Sequence, residues 1–122
     1  MAGMLYLVPT PIGNLSDISA RCRKTFEEAD FIAAEDTRVT LKLLNFLELK
    51  KPLVSYYEHN KLESGPKIVR RIQEGETCVL VSDAGSPAIS DPGEDLVRLC
   101  AEAGLTVCAI PGPCALVTAL SI

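Results

Sequence analysis

Five short apolar runs, at residues 5–8, 31–34, 53–56, 78–81 and 106–110, alternate with amphipathic stretches along the sequence. Runs of four or five residues, several rich in Val and Ile, read as strands, and the helical spacing between them predicts a β-α-β-α chain. Because these runs are continuously apolar rather than alternating, both faces of the sheet must be covered. The expectation is an α/β fold, a three-layer sandwich with a mainly parallel five-stranded sheet. A chain of 122 residues suits one such domain with a core of its own.

The helices are legible from spacing and punctuation. Ile18, Cys22, Phe26 and Ala29 recur at helical intervals behind Ser16 and Asp17, predicting a first helix over 17–29. Leu41, Leu44 and Leu47 form the expected buried stripe of a second helix after Asp36-Thr37. Ile68 and Ile72 do the same for a third after Ser64-Gly65-Pro66, with Gly75 to end it. In the fourth, Asp91 caps, Pro92 opens the first turn, Leu96, Val97, Leu99, Cys100 and Ala103 share a face, and Gly104 closes. Residues 113–122 begin like a helix and stop without a C-terminal signal. They are read as the start of an element that continues in a longer parent, the alternative being a buried terminal helix.

Composition narrows the function classes. Twelve basic against sixteen acidic side chains give a net charge of −4, which argues against a broad electrostatic footprint for nucleic acid while leaving room for a local one. No apolar run approaches the roughly 18 to 20 residues needed to cross a bilayer. The first eight residues lack a basic region and a cleavage site, so a cytoplasmic protein is expected. The five cysteines, Cys22, Cys78, Cys100, Cys108 and Cys114, form no CxxC pair and read as buried free thiols. His59 is the single histidine, so no metal site is expected. A nucleophilic pairing of His59 with Cys114 is a weaker alternative.

In open parallel sheets, ligands bind beyond the carboxyl ends of the strands. The loop after the first run, Pro9-Thr-Pro-Ile-Gly-Asn-Leu15, holds two prolines and a glycine in place of a GxGxxG fingerprint. The loop after the fourth, Ser82-Asp-Ala-Gly-Ser-Pro-Ala-Ile-Ser-Asp-Pro-Gly93, is longer than the about 2 to 6 residues such a connection needs. Its Asp83 either accepts hydrogen bonds from a ligand or holds its own loop as an Asx-turn. The loop after the fifth, Ile110-Pro-Gly-Pro-Cys-Ala115, sets small residues at a helix start, where a ligand can lie against backbone amides. No GxxxxGK[ST] is present, which excludes a P-loop nucleotide hydrolase.

Two polar groups complete this edge: Glu35-Asp36-Thr37-Arg38 after the second run and Tyr56-Tyr57-Glu58-His59-Asn60 after the third. Glu35 or Asp36 can act as a general base or bind a cationic group, and Arg38 can hold a phosphate oxygen bidentately. The competing reading makes Asp36 a helix cap and leaves Arg38 solvated.

Taken in order, five segments resemble the ribosomal RNA small subunit methyltransferase I family, within the tetrapyrrole (corrin/porphyrin) methylase superfamily. They are Pro9-Thr-Pro-Ile-Gly-Asn-Leu15, Ala34-Glu-Asp-Thr-Arg38, Ser55-Tyr-Tyr-Glu-His-Asn60, Val81-Ser-Asp-Ala-Gly-Ser-Pro-Ala-Ile-Ser-Asp-Pro-Gly93 and Pro111-Gly-Pro-Cys-Ala115. The resemblance implies an S-adenosylmethionine-dependent enzyme, without a metal, that methylates the 2′-hydroxyl of a cytidine ribose in small-subunit (16S) ribosomal RNA. It further implies two α/β domains with the cofactor between them, a homodimer and no membrane. Residues 1–122 would form the N-terminal domain, and alone they are expected to be inactive. Carried over position by position, cofactor contacts fall on Ile12, on Asp83, Gly85, Ser86 and Pro87, and on Cys114 and Ala115. The RNA-facing set becomes Asn14, Arg38, Glu58, His59 and Asn60, with Glu35 or Asp36 as the base.

Two rivals are weighed against this reading. One is a methylase of the same superfamily acting on a tetrapyrrole or on a protein side chain, which the acidic charge keeps open. The other is a non-catalytic flavodoxin-like binding or dimerisation module, which has no need of Pro/Gly-rich loops at three strand ends.

Overall fold

A computed structural model describes residues 3–8, 20–81 and 93–110. In chain order the elements are β1 (Met4–Val8), α1 (Ala20–Glu28), β2 (Phe31–Ala34), α2 (Thr37–Phe46), β3 (Leu53–Ser55), α3 (Lys61–Gln73), β4 (Cys78–Val81), α4 (Gly93–Glu102) and β5 (Thr106–Ala109). The five strands form one sheet in the order β3-β2-β4-β1-β5, with every neighbouring pair parallel.

Strand alternation sends successive side chains to opposite faces, and two cores result. Val8, Ile32, Ala34, Val79 and Val81 pack with Cys22 and Phe26 of α1 and Leu43, Leu44 and Leu47 beside them on α2. Leu5, Phe31, Ala33, Cys78 and Leu80 pack with Ile68 and Ile72 of α3 and Leu96 and Cys100 of α4. All four residues of the inner strands β2 and β4 are buried, whereas β3 and β5 at the sheet edges keep partial exposure. The unbroken apolar runs are thus explained by helices on both faces.

Several helix details depart from the sequence reading. Residues 17–19, where the first helix was expected to start, lie outside the described residues, as do Asp91 and Pro92. In α2 the buried stripe is Thr40, Leu43, Leu44 and Leu47, and Leu41 points outward at 49% exposure. Leu43, Leu44 and Leu47 pack into the core with Thr40 one turn earlier on the same stripe, which leaves Leu41, about one hundred degrees past Thr40, outside it. In α3, Ser64-Gly65-Pro66 lies inside the helix, which already begins at Lys61 behind Asn60. Pro66 has no N–H for the Leu62 carbonyl, but Leu62 is 89% exposed, so water can serve that acceptor. In α4, Ala103 is exposed, because it falls at the turn that ends the helix.

Three of these helices end in the same way. Beyond α3 and α4, Gly75 and Gly104 adopt positive φ, and paired backbone bonds close each end: Glu76 N–H to Arg71 O and Leu105 N–H to Cys100 O. Beyond α2 the same bonds form, Leu49 N–H to Leu44 O and Glu48 N–H to Asn45 O, but the left-handed residue is Glu48, at φ 60°. Cys22, Cys78 and Cys100 are buried free thiols and Cys108 is half-buried. Burial pushes the Cys78 thiol well up and that of Cys100 up to about 11, so neither is a thiolate nucleophile.

Candidate functional site

The sheet order decides where a ligand can enter. β1 and β2 hand the chain to helices on one face, β3 and β4 to helices on the other. In the order β3-β2-β4-β1, the helices that follow neighbouring strands therefore lie on opposite faces, an arrangement that opens a crevice at the carboxyl edge between β2 and β3.

The crevice between β2 and β3 is bounded by described residues of both strand ends. It is an open concavity of about 430 Å³ lined by Glu35, Asp36, Thr37, Arg38, Ser55 and Tyr57. Asp36 sits in extended backbone at φ −122° and caps α2, accepting from the Arg38 backbone N–H at 2.9 Å. Its two carboxylate oxygens also accept from the Arg38 guanidinium, Nε and Nη2, at 3.3 Å each. These bonds hold the Asp36 carboxyl below its usual range and raise the guanidinium further, while the Arg38 side chain stays 89% exposed. Asp36 is thus a helix cap and Arg38 is largely solvated, as the competing reading of this segment expects, with the guanidinium tethered to Asp36 at the concavity.

On the other wall, the loop after β3 is held by one side chain. Asn60 Oδ1 accepts from the Tyr57 backbone N–H at 2.7 Å, and Asn60 Nδ2 donates to Ser55 O at 2.9 Å. Both ends of the Asn60 amide are engaged within the loop, which makes it a clasp. Tyr56 is buried beneath, while Tyr57 is 38% exposed and meets the His59 ring edge-on, centroids 6.0 Å apart at 67°. Glu58 pairs with Lys61 at 3.1 Å, and Lys61 also reaches Asp95 of α4, which Arg98 holds at 2.8 Å. Asp95 raises the Lys61 amine, more than Glu58 does, and Lys61 lowers the Asp95 carboxyl in turn.

Of the residues singled out in the sequence, the concavity therefore gathers Glu35, Asp36 and Arg38. Glu58, His59 and Asn60 stand behind it, reaching it through the loop and the Tyr57 ring. Thr37, Ser55 and Tyr57 line it too; they stood inside the segments singled out but were given no role of their own, although a Ser that ends an otherwise apolar strand, followed by a second aromatic after a buried one, was an available signal. Ile12, Asn14, Asp83, Gly85, Ser86, Pro87, Cys114 and Ala115 lie outside the described residues. Among the described residues no group of His, Cys, Asp and Glu side chains is placed to hold a metal ion, and no helix is long and apolar enough to cross a membrane.

The sequence profile of the tetrapyrrole (corrin/porphyrin) methylases matches residues 4–122. The chain belongs to this family. It is 56% identical over 118 residues to the ribosomal RNA small subunit methyltransferase I of Halalkalibacterium halodurans, which covers 97% of this chain and 41% of that protein. To the protein of the same name from Escherichia coli O157:H7 it is 50% identical over 119 residues, 98% of this chain and 42% of the relative. The chain thus spans about two fifths of the length of the curated relatives it matches. Among solved structures, a uroporphyrin-III-C-methyltransferase from Thermus thermophilus superposes with a TM-score of 0.71 at 23% identity, covering 98% of this chain and 50% of that one. A putative cobalamin synthesis related protein from Corynebacterium diphtheriae gives 0.70 at 17% identity, over 95% of this chain and 56% of that one. These superpositions bear out the fold, a parallel five-stranded α/β sandwich of the tetrapyrrole methylase type.

Proposed function

We propose that this chain is the N-terminal domain of an S-adenosylmethionine-dependent methyltransferase that modifies the 2′-hydroxyl of a cytidine ribose in small-subunit ribosomal RNA. The observation that carries this reading is identity near one residue in two, over 97 to 98% of the chain, with relatives named for small-subunit ribosomal RNA methylation. The reading includes a homodimer acting in the cytoplasm and a second domain that completes the cofactor cleft.

The placement of the strand ends supports a single cofactor shared by three loops. The segments bearing Ile12, Asp83 to Pro87, and Cys114 and Ala115 follow β1, β4 and β5, whose ends are adjacent: Val8 pairs with Val81 and Leu7 with Ala109. S-adenosylmethionine, when bound, supplies a sulfonium-activated methyl group. The residues of this chain then have to hold the ribose and take its proton. Arg38, steadied by Asp36, holds a backbone phosphate at the β2–β3 crevice. Asp36 is a weak base, because its oxygens are committed to the helix cap and the guanidinium. Glu35, next to it on the same wall, takes the proton of the ribose hydroxyl.

The test is methyl incorporation into unmodified small-subunit RNA by the full-length protein, with the modified position mapped. Glu35→Gln is expected to lower turnover by about a hundredfold or more with little change in RNA affinity, and Asp36→Asn to lower it less. Full turnover in both variants would remove both carboxylates from the role of base. Incorporation into a tetrapyrrole or a protein, with none into RNA, would reassign the substrate.

A further inference from the structure

The proposed function leaves unexplained why a tyrosine ring is held at the lip of the β2–β3 crevice. Tyr57 lines the same concavity as Glu35 and Arg38 and keeps 38% of its surface exposed, although Tyr56, one residue earlier, is buried. Its backbone is fixed on both sides: its N–H donates to Asn60 Oδ1 at 2.7 Å, and its carbonyl accepts from the Asn60 N–H at 3.1 Å. Its ring meets that of His59 in a T-shaped contact, centroids 6.0 Å apart. A part-exposed aromatic side chain on an anchored backbone, lining one concavity with an exposed guanidinium, matches the two parts of a nucleotide, a flat base and an anionic phosphate.

We propose that Tyr57 is a stacking face for the base of an unpaired nucleotide, whose neighbouring phosphate lies on Arg38. This deepens the RNA reading given above and rests on it. A paired base keeps both faces covered by its neighbours in the helix, so the site selects single-stranded or looped RNA over duplex. His59 acts as a positioning residue that keeps the Tyr57 ring upright, which gives the Glu58-His59-Asn60 segment a role without direct contact with the reacting atoms.

The experiment measures binding of the full-length protein to three labelled probes of equal length by fluorescence anisotropy: an oligocytidylate single strand, the same backbone without bases, and a duplex. The wild-type protein is expected to prefer the oligocytidylate. Tyr57→Phe, which keeps the ring, is expected to bind as wild type, and Tyr57→Leu, which keeps apolar bulk without a π face, to lose about tenfold on the oligocytidylate and nothing on the abasic probe. Tyr57→Ala should match Tyr57→Leu, so a folding defect in one variant still leaves the other to decide. His59→Ala should show a smaller loss confined to the same probe. Unchanged affinity in Tyr57→Leu, with wild type still preferring bases, would overturn the stacking role and leave the RNA reading standing. Failure of the wild-type protein to bind any RNA probe would overturn both.

Discussion

The carboxylate of Asp36 closes the first turn of α2 and tethers Arg38 at the crevice, so one residue joins local stability to the recognition role proposed for Arg38. Arg38 lowers the pKa of this carboxyl, as Lys61 does for Asp95 and Arg71 for Glu76. A carboxylate depressed in the folded state contributes stability that is present above its unfolded value, near about 4, and lost as pH falls through the folded value. Urea midpoints should therefore drop between pH 6 and pH 3, and the drop should shrink in Arg38→Gln, which frees Asp36 from the guanidinium. An equal drop in both proteins would show that the pair is not coupled to folding. At Glu48 a side chain occupies a left-handed backbone position that Gly75 and Gly104 fill in the matching turns of α3 and α4. Glu48→Gly should stabilise the fold by ~0.5–1 kcal/mol in the same titration, because glycine has no Cβ to strain there. The Asp36 cap was legible as an acidic residue just before an apolar stripe. The turn at Glu48 was not, because no glycine marks it, and Leu41 was misread because the buried stripe runs through Thr40, a polar residue that a search for leucines passes over.

Elements pack here through close approach. A Cβ built on Gly65 of α3 would stand 2.9 Å from Leu99 Cδ1 of α4 and 3.7 Å from the buried Tyr56 ring. The nearer atom is the end of a flexible side chain, so Gly65→Ala should lie within about 1 kcal/mol of wild type, the gain in helix propensity offsetting a small shift of Leu99. Gly65→Leu cannot be absorbed that way and should cost about 1–3 kcal/mol by displacing α3 from α4 and from Tyr56. Thermal denaturation of the two variants checks the contrast; similar melting would mean the helices are not in contact at this point. The strands were legible almost to the residue, since helices on both faces demand unbroken apolar runs. The first half of α3 was hidden, because Ser64-Gly65-Pro66 has the composition of a turn. What overrides that composition is tertiary: the glycine admits Leu99 of α4, and the proline follows an exposed first turn, where losing one N–H costs least.

At the scale of the molecule, what matters is the strand order. Sequence periodicity yields five strands and four helices but not β3-β2-β4-β1-β5, because order depends on which helix covers which face, and every apolar run suits either. Once that order is set, the carboxyl ends of β2 and β3 bound one crevice and those of β1, β4 and β5 stand together. The crevice proposed for the acceptor and the strand ends proposed for the cofactor therefore share one edge of the sheet, as a transfer between two ligands would require. The most direct measurement is a calorimetric titration of S-adenosylmethionine into the full-length protein, with this 122-residue chain titrated alongside. Saturable binding to the full-length protein, weakened or lost in the shorter chain, is the predicted result, since a second domain is to complete the cleft. Absence of binding to the full-length protein would contradict the account and favour a module that uses the same fold without transferring a methyl group.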